Sequence, residues 1–358
     1  MAAQTISNSA INTTANASKY SSVALLSREV VKKVYAIETP EGDGATVRRS
    51  IGTPQLRNFS PFLMLDHFKL DPSKPGGFPD HPHRGQTTVT YMLDGYFQHE
   101  DFMGHSGKIG PGDLQWMIAG RGVMHAEMPL LRDENGNKLP APDGLQLWVD
   151  LPEKHKMDEA SYQEYSKDKV PLALPRPDQP EETEGKGWKV KVISGQSHGV
   201  ESPVRTPDRG GCWYFDVTLE HPGARIFQEI PTGYNSFIYT FGAAKVRVGD
   251  QSTPTGQKEY EQYNTLVLSN KAQVTDPKVD PSTVPQENGV WIEHAGEEGQ
   301  EARFVVIAGE PLDQRVFQHG PFVMTSREEI MQTMMDFQSG KNGFERAPGW
   351  RSKIGNRM

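Results

Sequence analysis

The chain has 358 residues, a formal net charge of -8 at pH 7 and a mean hydropathy of -0.63. The acidic balance argues against direct nucleic-acid binding, and no apolar run is long enough to span a membrane, so we expect no direct nucleic acid and no membrane partner. A single cysteine, Cys212, excludes an internal disulfide and a cysteine-based zinc module, which is typical of a reducing compartment.

The first segment, residues 1–27, is predicted to be a disordered extension. It is rich in Ala, Ser, Thr and Asn, and Lys19 is its only charged residue. It resembles a transit peptide in being rich in Ser and free of acidic residues, but it lacks the Arg that such peptides carry. Import into an organelle therefore stays open.

Residues 28–152 are predicted to form an N-terminal β domain. Short β-branched and aromatic runs alternate with turns, and Asp94-Gly95 is a hairpin signal. This spacing favours an antiparallel barrel or sandwich. The candidate strands include Val30–Tyr35, which opens the domain, and residues 62–66, 88–93, 114–118 and 145–149.

Two short clusters in this domain carry potential metal ligands, His81 with His83 and His125 with Glu127. Residues two apart on a strand point to the same face, so each cluster offers two ligand atoms side by side. Three imidazoles and one carboxylate suit Fe, Mn, Co, Ni, Cu or Zn better than Ca or Mg. An octahedral ion held by these four residues would keep two positions for water, substrate or dioxygen. His67, His99 and His105 are interpreted as solvated or hydrogen-bonded side chains.

Residues 153–187 are interpreted as a linker, because Pro171, Pro175, Pro177 and Pro180 oppose regular structure. Residues 188–311 are predicted to form a second, C-terminal β domain. It repeats the strand pattern but has no ligand pair, so we expect it to be metal-free. Cys212 precedes an apolar run and is interpreted as a buried strand residue.

Residues 312–358 form a tail with one predicted helix, over residues 326–339. Ser326 and Glu329 have the spacing of a capping box, and Gly340 is placed to end the helix. One apolar face, expected to pack against a barrel, comprises Ile330, Met334 and Phe337.

Long ordered segments between residues 47 and 356 resemble the pirin family of the cupin superfamily. The segments that carry this resemblance are GGFPDHPHRG at 76–85, GDLQWM at 112–117, GRGVMHAEMP at 120–129, AGEPL at 308–312 and GPFVM at 320–324. The resemblance implies an all-β bicupin, with two cupin (jelly-roll-type) β-barrels face to face and a C-terminal helix. It also implies iron in the N-terminal barrel, with His81, His83, His125 and Glu127 as ligands.

Two positions depart from the general cupin pattern. Thr87 and Thr88 stand in the region where the first cupin motif has its glutamate, so the carboxylate has to come from Glu127. The general second motif also has its histidine close after a Pro-x-Gly turn, whereas here His125 comes later, as it does in pirins.

The resemblance implies two alternative functions. One is quercetinase-like cleavage of a flavonol with dioxygen, with Fe2+/Fe3+ or another divalent transition metal and with Glu127 as the catalytic base. The other is a nuclear coregulator, in which iron acts as a redox switch through a transcription-factor partner. A storage or scaffold cupin is the third alternative. We expect a monomer in the cytoplasm and nucleus.

Overall fold

The computed structural model describes residues 24–355, apart from residues 72, 74, 75, 208, 209, 272–277, 281, 282, 284 and 285. Most of the extension predicted to be disordered therefore lies outside the described residues. Its last four residues, 24–27, are an exception to that prediction. Ser27 forms a β-bridge with Gly289, and the Leu26 N–H donates to Asn288 Oδ1 at 2.9 Å.

The described residues before residue 166 form twelve strands. They are β1 (Val30–Tyr35), β2 (Ile37–Glu41), β3 (Ala45–Ile51), β4 (Phe62–Lys69), β5 (Phe78–His83), β6 (Gln86–Asp94), β7 (Phe97–Asp101), β8 (Ser106–Ile109), β9 (Leu114–Ile118), β10 (Val123–Pro129), β11 (Asp143–Asp150) and β12 (Ser161–Tyr165). Two 3-10 turns lie at Glu153–His155 and Lys167–Lys169.

The rest of the chain contains fifteen strands and two helices among its described residues. They are β13 (Leu172–Ala173), α1 (Glu181–Glu184), β14 (Gly185–Lys186), β15 (Trp188–Ser194), β16 (Gln196–Ser197), β17 (Val200–Glu201), β18 (Cys212–Leu219), β19 (Arg225–Glu229), β20 (Asn235–Thr240), β21 (Val246–Val248), β22 (Glu259–Tyr260), β23 (Asn264–Leu268), β24 (Gly289–His294), β25 (Ala302–Gly309), β26 (Phe317–His319), β27 (Phe322–Met324) and α2 (Arg327–Ser339).

Each half of the chain forms a pair of antiparallel sheets. In the first half, a seven-stranded sheet has the order β12-β9-β6-β11-β4-β3-β2, and a four-stranded sheet has the order β5-β10-β7-β8. In the second half, the orders are β1-β23-β20-β25-β18-β15-β13 and β14-β19-β24-β21-β22. This is the predicted all-β fold class.

The two seven-stranded sheets pack against each other through side chains that alternate between the two faces of each strand. Phe215 and Ile238 contribute to the interior of the second barrel, whereas Tyr214, Phe237 and Tyr239 join a core with residues of the first domain. Because successive side chains point to opposite faces, a strand that is apolar at every position can fill both cores. Cys212 is buried in the core shared by the two domains, as its apolar surroundings predicted.

One strand near the start of the chain belongs to a sheet of the second half. Strand β1 pairs with β23, so the prediction that Val30–Tyr35 opens the first domain is wrong. A local run of β-branched residues identifies a strand but not its partner.

The linker also contains more regular structure than its prolines predicted. Strand β12 pairs with β9 of the first domain, while β13 and β14 pair with β15 and β19 of the second. The prediction that residues 153–187 lack regular structure is therefore wrong. Pro171 and Pro180 stand just before β13 and α1, where a missing N–H is tolerated.

The C-terminal helix has the predicted caps. Ser326 Oγ accepts a hydrogen bond from the Glu329 N–H at 3.2 Å, and Glu329 accepts one from the Thr325 N–H at 3.0 Å. Gly340 ends the helix with φ at +62°. The predicted face packs onto a cluster that includes Phe102 and Met124 of the first domain. No helix among the described residues is long and apolar enough to cross a membrane.

Candidate metal centre

Three predicted ligands meet where strands β5 and β10 pair. His125 lies directly opposite His81 in this antiparallel pair, and His83 lies two residues along β5. The three side chains share one face of the sheet, because residues opposite each other and residues two apart point the same way. Their ligand atoms all lie within 4.8 Å of one another.

The nitrogen atoms of this group are arranged to hold an ion. His125 Nε2 lies 3.0 Å from His81 Nε2. His81 Nδ1–H donates a hydrogen bond to the Pro79 carbonyl at 2.8 Å, which leaves the lone pair of this ring on Nε2. His83 Nε2 is buried and has no hydrogen-bond partner. A buried polar atom without a partner costs free energy, so a metal ion that binds this nitrogen fits the site.

The protonation state also suits a metal. Burial lowers the pKa of His83 and His125 well below the ordinary value of 6.5, and neighbouring imidazoles lower it further. Both rings are therefore neutral at pH 7, and the neutral imidazole is the form that binds a metal.

Residues around the ring of His83 fix its orientation. The Gln86 carboxamide nitrogen lies 2.8 Å from His83 Nδ1, and the Trp148 ring meets the imidazole edge to face with centroids 5.1 Å apart. The sequence analysis identified neither residue. Their positions along β6 and β11 carry no metal-ligand pattern, so only the sheet pairing brings them to the site.

Glu127 lies two residues after His125 on β10 and is outside the 4.8 Å group of histidines. Its side chain is buried and lines the same cavity as His81 and His83. Glu127 Oε1 lies 3.1 Å from the hydroxyl of Thr90, which is also 2.6 Å from Gln146 Oε1. The structure therefore brings together three of the four predicted ligands, and Glu127 as the fourth stays a prediction.

A cavity of about 500 Å³ opens onto the site, within the range of small-molecule pockets. Its apolar walls include Phe68, Phe78, Phe97 and Trp148. Its charged lining includes Arg49, which donates to Asp66 at 2.7 Å and also pairs with Glu41. Gln318, Gly320 and Pro321 of the β26–β27 hairpin also line the cavity.

Each of the remaining histidines of the first domain has a polar partner: His67 and His105 are hydrogen-bonded, as predicted, and His99 lies within ion-pair distance of a carboxylate. His67 Nδ1 lies 3.0 Å from the Tyr239 hydroxyl. His99 Nε2 lies 2.9 Å from Glu164 Oε1. His105 Nδ1 lies 2.9 Å from Asp101 Oδ2.

Comparison with known proteins places these features in a family. Residues 44–149 match the model of the family described as Pirin, and residues 214–343 match the model described as Pirin C-terminal cupin domain. Human Pirin is 46% identical over 331 residues, which cover 92% of this chain and 99% of that protein. The chain belongs to the pirin family.

Other members of the pirin family are similar over nearly the whole chain. Pirin-like protein 2 of Arabidopsis thaliana is 42% identical, over 92% of this chain and 89% of that protein. Among solved structures, a quercetin 2,3-dioxygenase from Acinetobacter baumannii has 27% identity and a TM-score of 0.70, covering 89% of this chain and 99% of the other. These matches confirm the expected pair of cupin barrels.

A more distant match adds evidence for the fold alone. The bacterial pirin YhhW of Escherichia coli, solved in complex with nickel(II), is 14% identical with a TM-score of 0.51, over 78% of this chain and 99% of the other. The histidine cluster of the present chain fits a metal site of the cupin type.

Proposed function

We propose that this pirin-family protein cleaves the ring of a flavonol with dioxygen, as a quercetin 2,3-dioxygenase does. The observation that carries the proposal is the convergence of three imidazoles, of which His83 and His125 are buried and neutral, beside a cavity with aromatic walls. The likeness to a quercetin 2,3-dioxygenase over 89% of the chain supports it. The substrates would be a flavonol-like small molecule and dioxygen.

Iron is the proposed metal, with His81, His83, His125 and Glu127 as its ligands. Nitrogen-rich ligand sets with one carboxylate are typical of non-haem iron sites, and other divalent transition metals fit the same atoms. The ion would supply Lewis acidity toward the substrate hydroxyl and redox capacity for the reaction with dioxygen.

The cavity walls bind and orient the substrate. Phe68 and Phe97 pack with ring centroids 4.9 Å apart, and Phe78 meets Phe97 edge to face at 6.1 Å, so the cavity has an aromatic wall. A planar aromatic substrate would lie against these rings and exclude water from the site.

Glu127 is the proposed catalytic base, which accepts the proton of the flavonol 3-hydroxyl. Its carboxylate is buried, so no bulk water competes for that proton. Thr90 orients it through the 3.1 Å contact between Oγ1 and Glu127 Oε1. Correct placement of a base is the first requirement of proton abstraction.

Metal analysis of the purified protein, followed by oxygen uptake with a panel of flavonols, tests the proposal. We expect bound iron, consumption of dioxygen and release of carbon monoxide. An iron-loaded protein that consumes no dioxygen with any flavonol of the panel would contradict it.

The alternative function, a monomeric coregulator in the cytoplasm and nucleus, draws on a different observation. Arg49, Asp66 and Glu41 form ion pairs and line the same cavity as three of the four proposed ligands. One additional charge on iron would therefore act on these ion pairs across a partly buried space. Equal binding of every candidate transcription-factor partner by oxidised and reduced protein would contradict this redox switch.

A further inference from the structure

The end of the described chain returns to the first domain and crosses its ligand-bearing sheet. Residues 350–355, here called the C-terminal strap, follow the second barrel, the β26–β27 hairpin and helix α2 in sequence. The strap contacts strands β5, β10 and β7, which are neighbours in the four-stranded sheet.

The contact with β10 lies behind the ligands. Ile354 forms a small buried cluster with Ala126 and Met128. Side chains alternate along a strand, so Ala126 and Met128 point away from the face that presents His125 and Glu127. Ile354 therefore packs on the back of the strand segment whose front faces the candidate metal centre.

Two hydrogen bonds hold the strap to the neighbouring strands. The Ser352 N–H donates to the carboxylate of Asp80, at 3.2 Å from Oδ2, and Asp80 precedes His81 on β5. The Lys353 N–H donates to Glu100 Oε2 at 2.6 Å, on β7. The Gly355 N–H donates to Ser352 Oγ at 2.9 Å, which closes the strap on itself.

We propose that the C-terminal strap positions the metal ligands, with Ile354 supporting Glu127 and His125 from behind and Asp80 tying β5 to the strap. The inference rests on the metal site of the proposed function but not on its flavonol chemistry. Between His125 and Glu127 the pairing of β10 with β5 shifts register, because β5 has one extra residue between Phe78 and His81, whereas β10 keeps a regular register with β7. A bulged strand is held less regularly by its own ladder, so the bond from the strap to Asp80 supports β5 next to His81, and Ile354 packs behind β10 at the same point.

Ile354 is a positioning residue, so its test needs a readout that loss of stability alone would not change. Co2+ is a suitable probe, because its visible absorption reports ligand geometry without any substrate. We expect Ile354→Ala to change the Co2+ spectrum and to increase the rate of Co2+ loss to excess chelator by about tenfold, as changes behind metal ligands commonly do. Ile354→Leu should restore both.

Ile230→Ala is the matched control, since Ile230 is a buried isoleucine in the core of the second barrel. We expect it to lower stability while the spectrum and the rate of metal loss stay as in the unmodified protein. If Ile354→Ala lowers stability but leaves both metal readouts unchanged, the strap is only structural and the proposal is wrong.

The outcomes separate this proposal from the dioxygenase proposal. If Ile354→Ala has the expected effect but the unmodified protein cleaves no flavonol, the strap proposal stands and the dioxygenase proposal is wrong. A full-length protein that binds no Co2+ overturns the metal centre and the strap together.

Discussion

Arg84 Nη1 lies 2.9 Å from Asp336 Oδ2, and both side chains are buried. Arg84 directly follows His83, and Asp336 lies on helix α2, more than 250 residues later. Burial alone would raise the pKa of Asp336, but hydrogen bonds from Arg84, Gln332 and Asn342 outweigh it and hold that pKa below its ordinary value. The pair therefore joins the C-terminal helix to the residue that directly follows strand β5, which carries two of the proposed metal ligands.

Removal of Asp336 should destabilise the fold strongly, because it leaves a buried guanidinium without its carboxylate. We expect Asp336→Ala to lower the free energy of unfolding by about 3 kcal/mol or more, as measured by denaturant titration. Glu38→Ala is the control, since Glu38 pairs with Arg48 at an exposed position, and it should cost less than about 1 kcal/mol. Equal effects of the two substitutions would contradict a structural role for the buried pair.

The histidine cluster should account for metal binding. We expect His83→Ala to reduce metal affinity by more than about tenfold, because one of three converging nitrogens is lost. At a metal concentration about 100 times Kd, mass action should stabilise the unmodified protein by about 2.7 kcal/mol and the variant by much less. Metal analysis and thermal unfolding measure both effects. His105→Ala, at a half-exposed histidine bonded to Asp101, should bind metal normally.

Glu127 should be needed for turnover more than for metal retention. We expect Glu127→Gln to keep bound metal and to lower kcat by about 100-fold or more, because the carboxamide cannot accept the proton. Oxygen uptake by variants of matched metal content measures this. Glu164→Gln is the control, because the Glu164 carboxylate lies beside His99 and is not one of the proposed ligands. A Glu127→Gln protein with its metal and its full rate would remove the assignment of this base.

His198 should make stability depend on pH. It is buried against Trp188, with ring centroids 4.1 Å apart, and burial lowers its pKa to about 4. The unfolded chain binds a proton near pH 6.5 and the folded protein does not until about pH 4, so stability is complete above pH 6.5 and falls between those values. The loss should reach about 3 kcal/mol by pH 4.

His198→Asn is the informative variant for this effect. Residue 198 has φ at +48°, a conformation that Asn tolerates better than most side chains. We expect the free energy of unfolding, measured by urea titration, to change less between pH 7 and pH 4 in the variant. Parallel pH profiles for the two proteins would show that His198 does not titrate on unfolding.

Local pattern predicted the strands and most of the candidate site. His81, His83 and His125 could be selected from the sequence because a spacing of two on a strand places side chains on one face, and the structure unites them. The caps of helix α2 were equally local, since Ser326 and Glu329 are three residues apart. Strand pairing was not local. The partner of Val30–Tyr35 is a strand more than 200 residues away.

By itself, the sequence determined which residues could bind a metal and where several of the strands lie, because both depend on residue type and short spacing, although it missed the strands of residues 153–187. The tertiary structure alone decided that Gln86 and Trp148 contact His83 and that Ile354 packs against Ala126 and Met128 of strand β10. Those relationships depend on sheet register and on contacts between distant segments. The burial that stabilises these contacts involves segments that are far apart in the sequence, so no short stretch of residues reveals them.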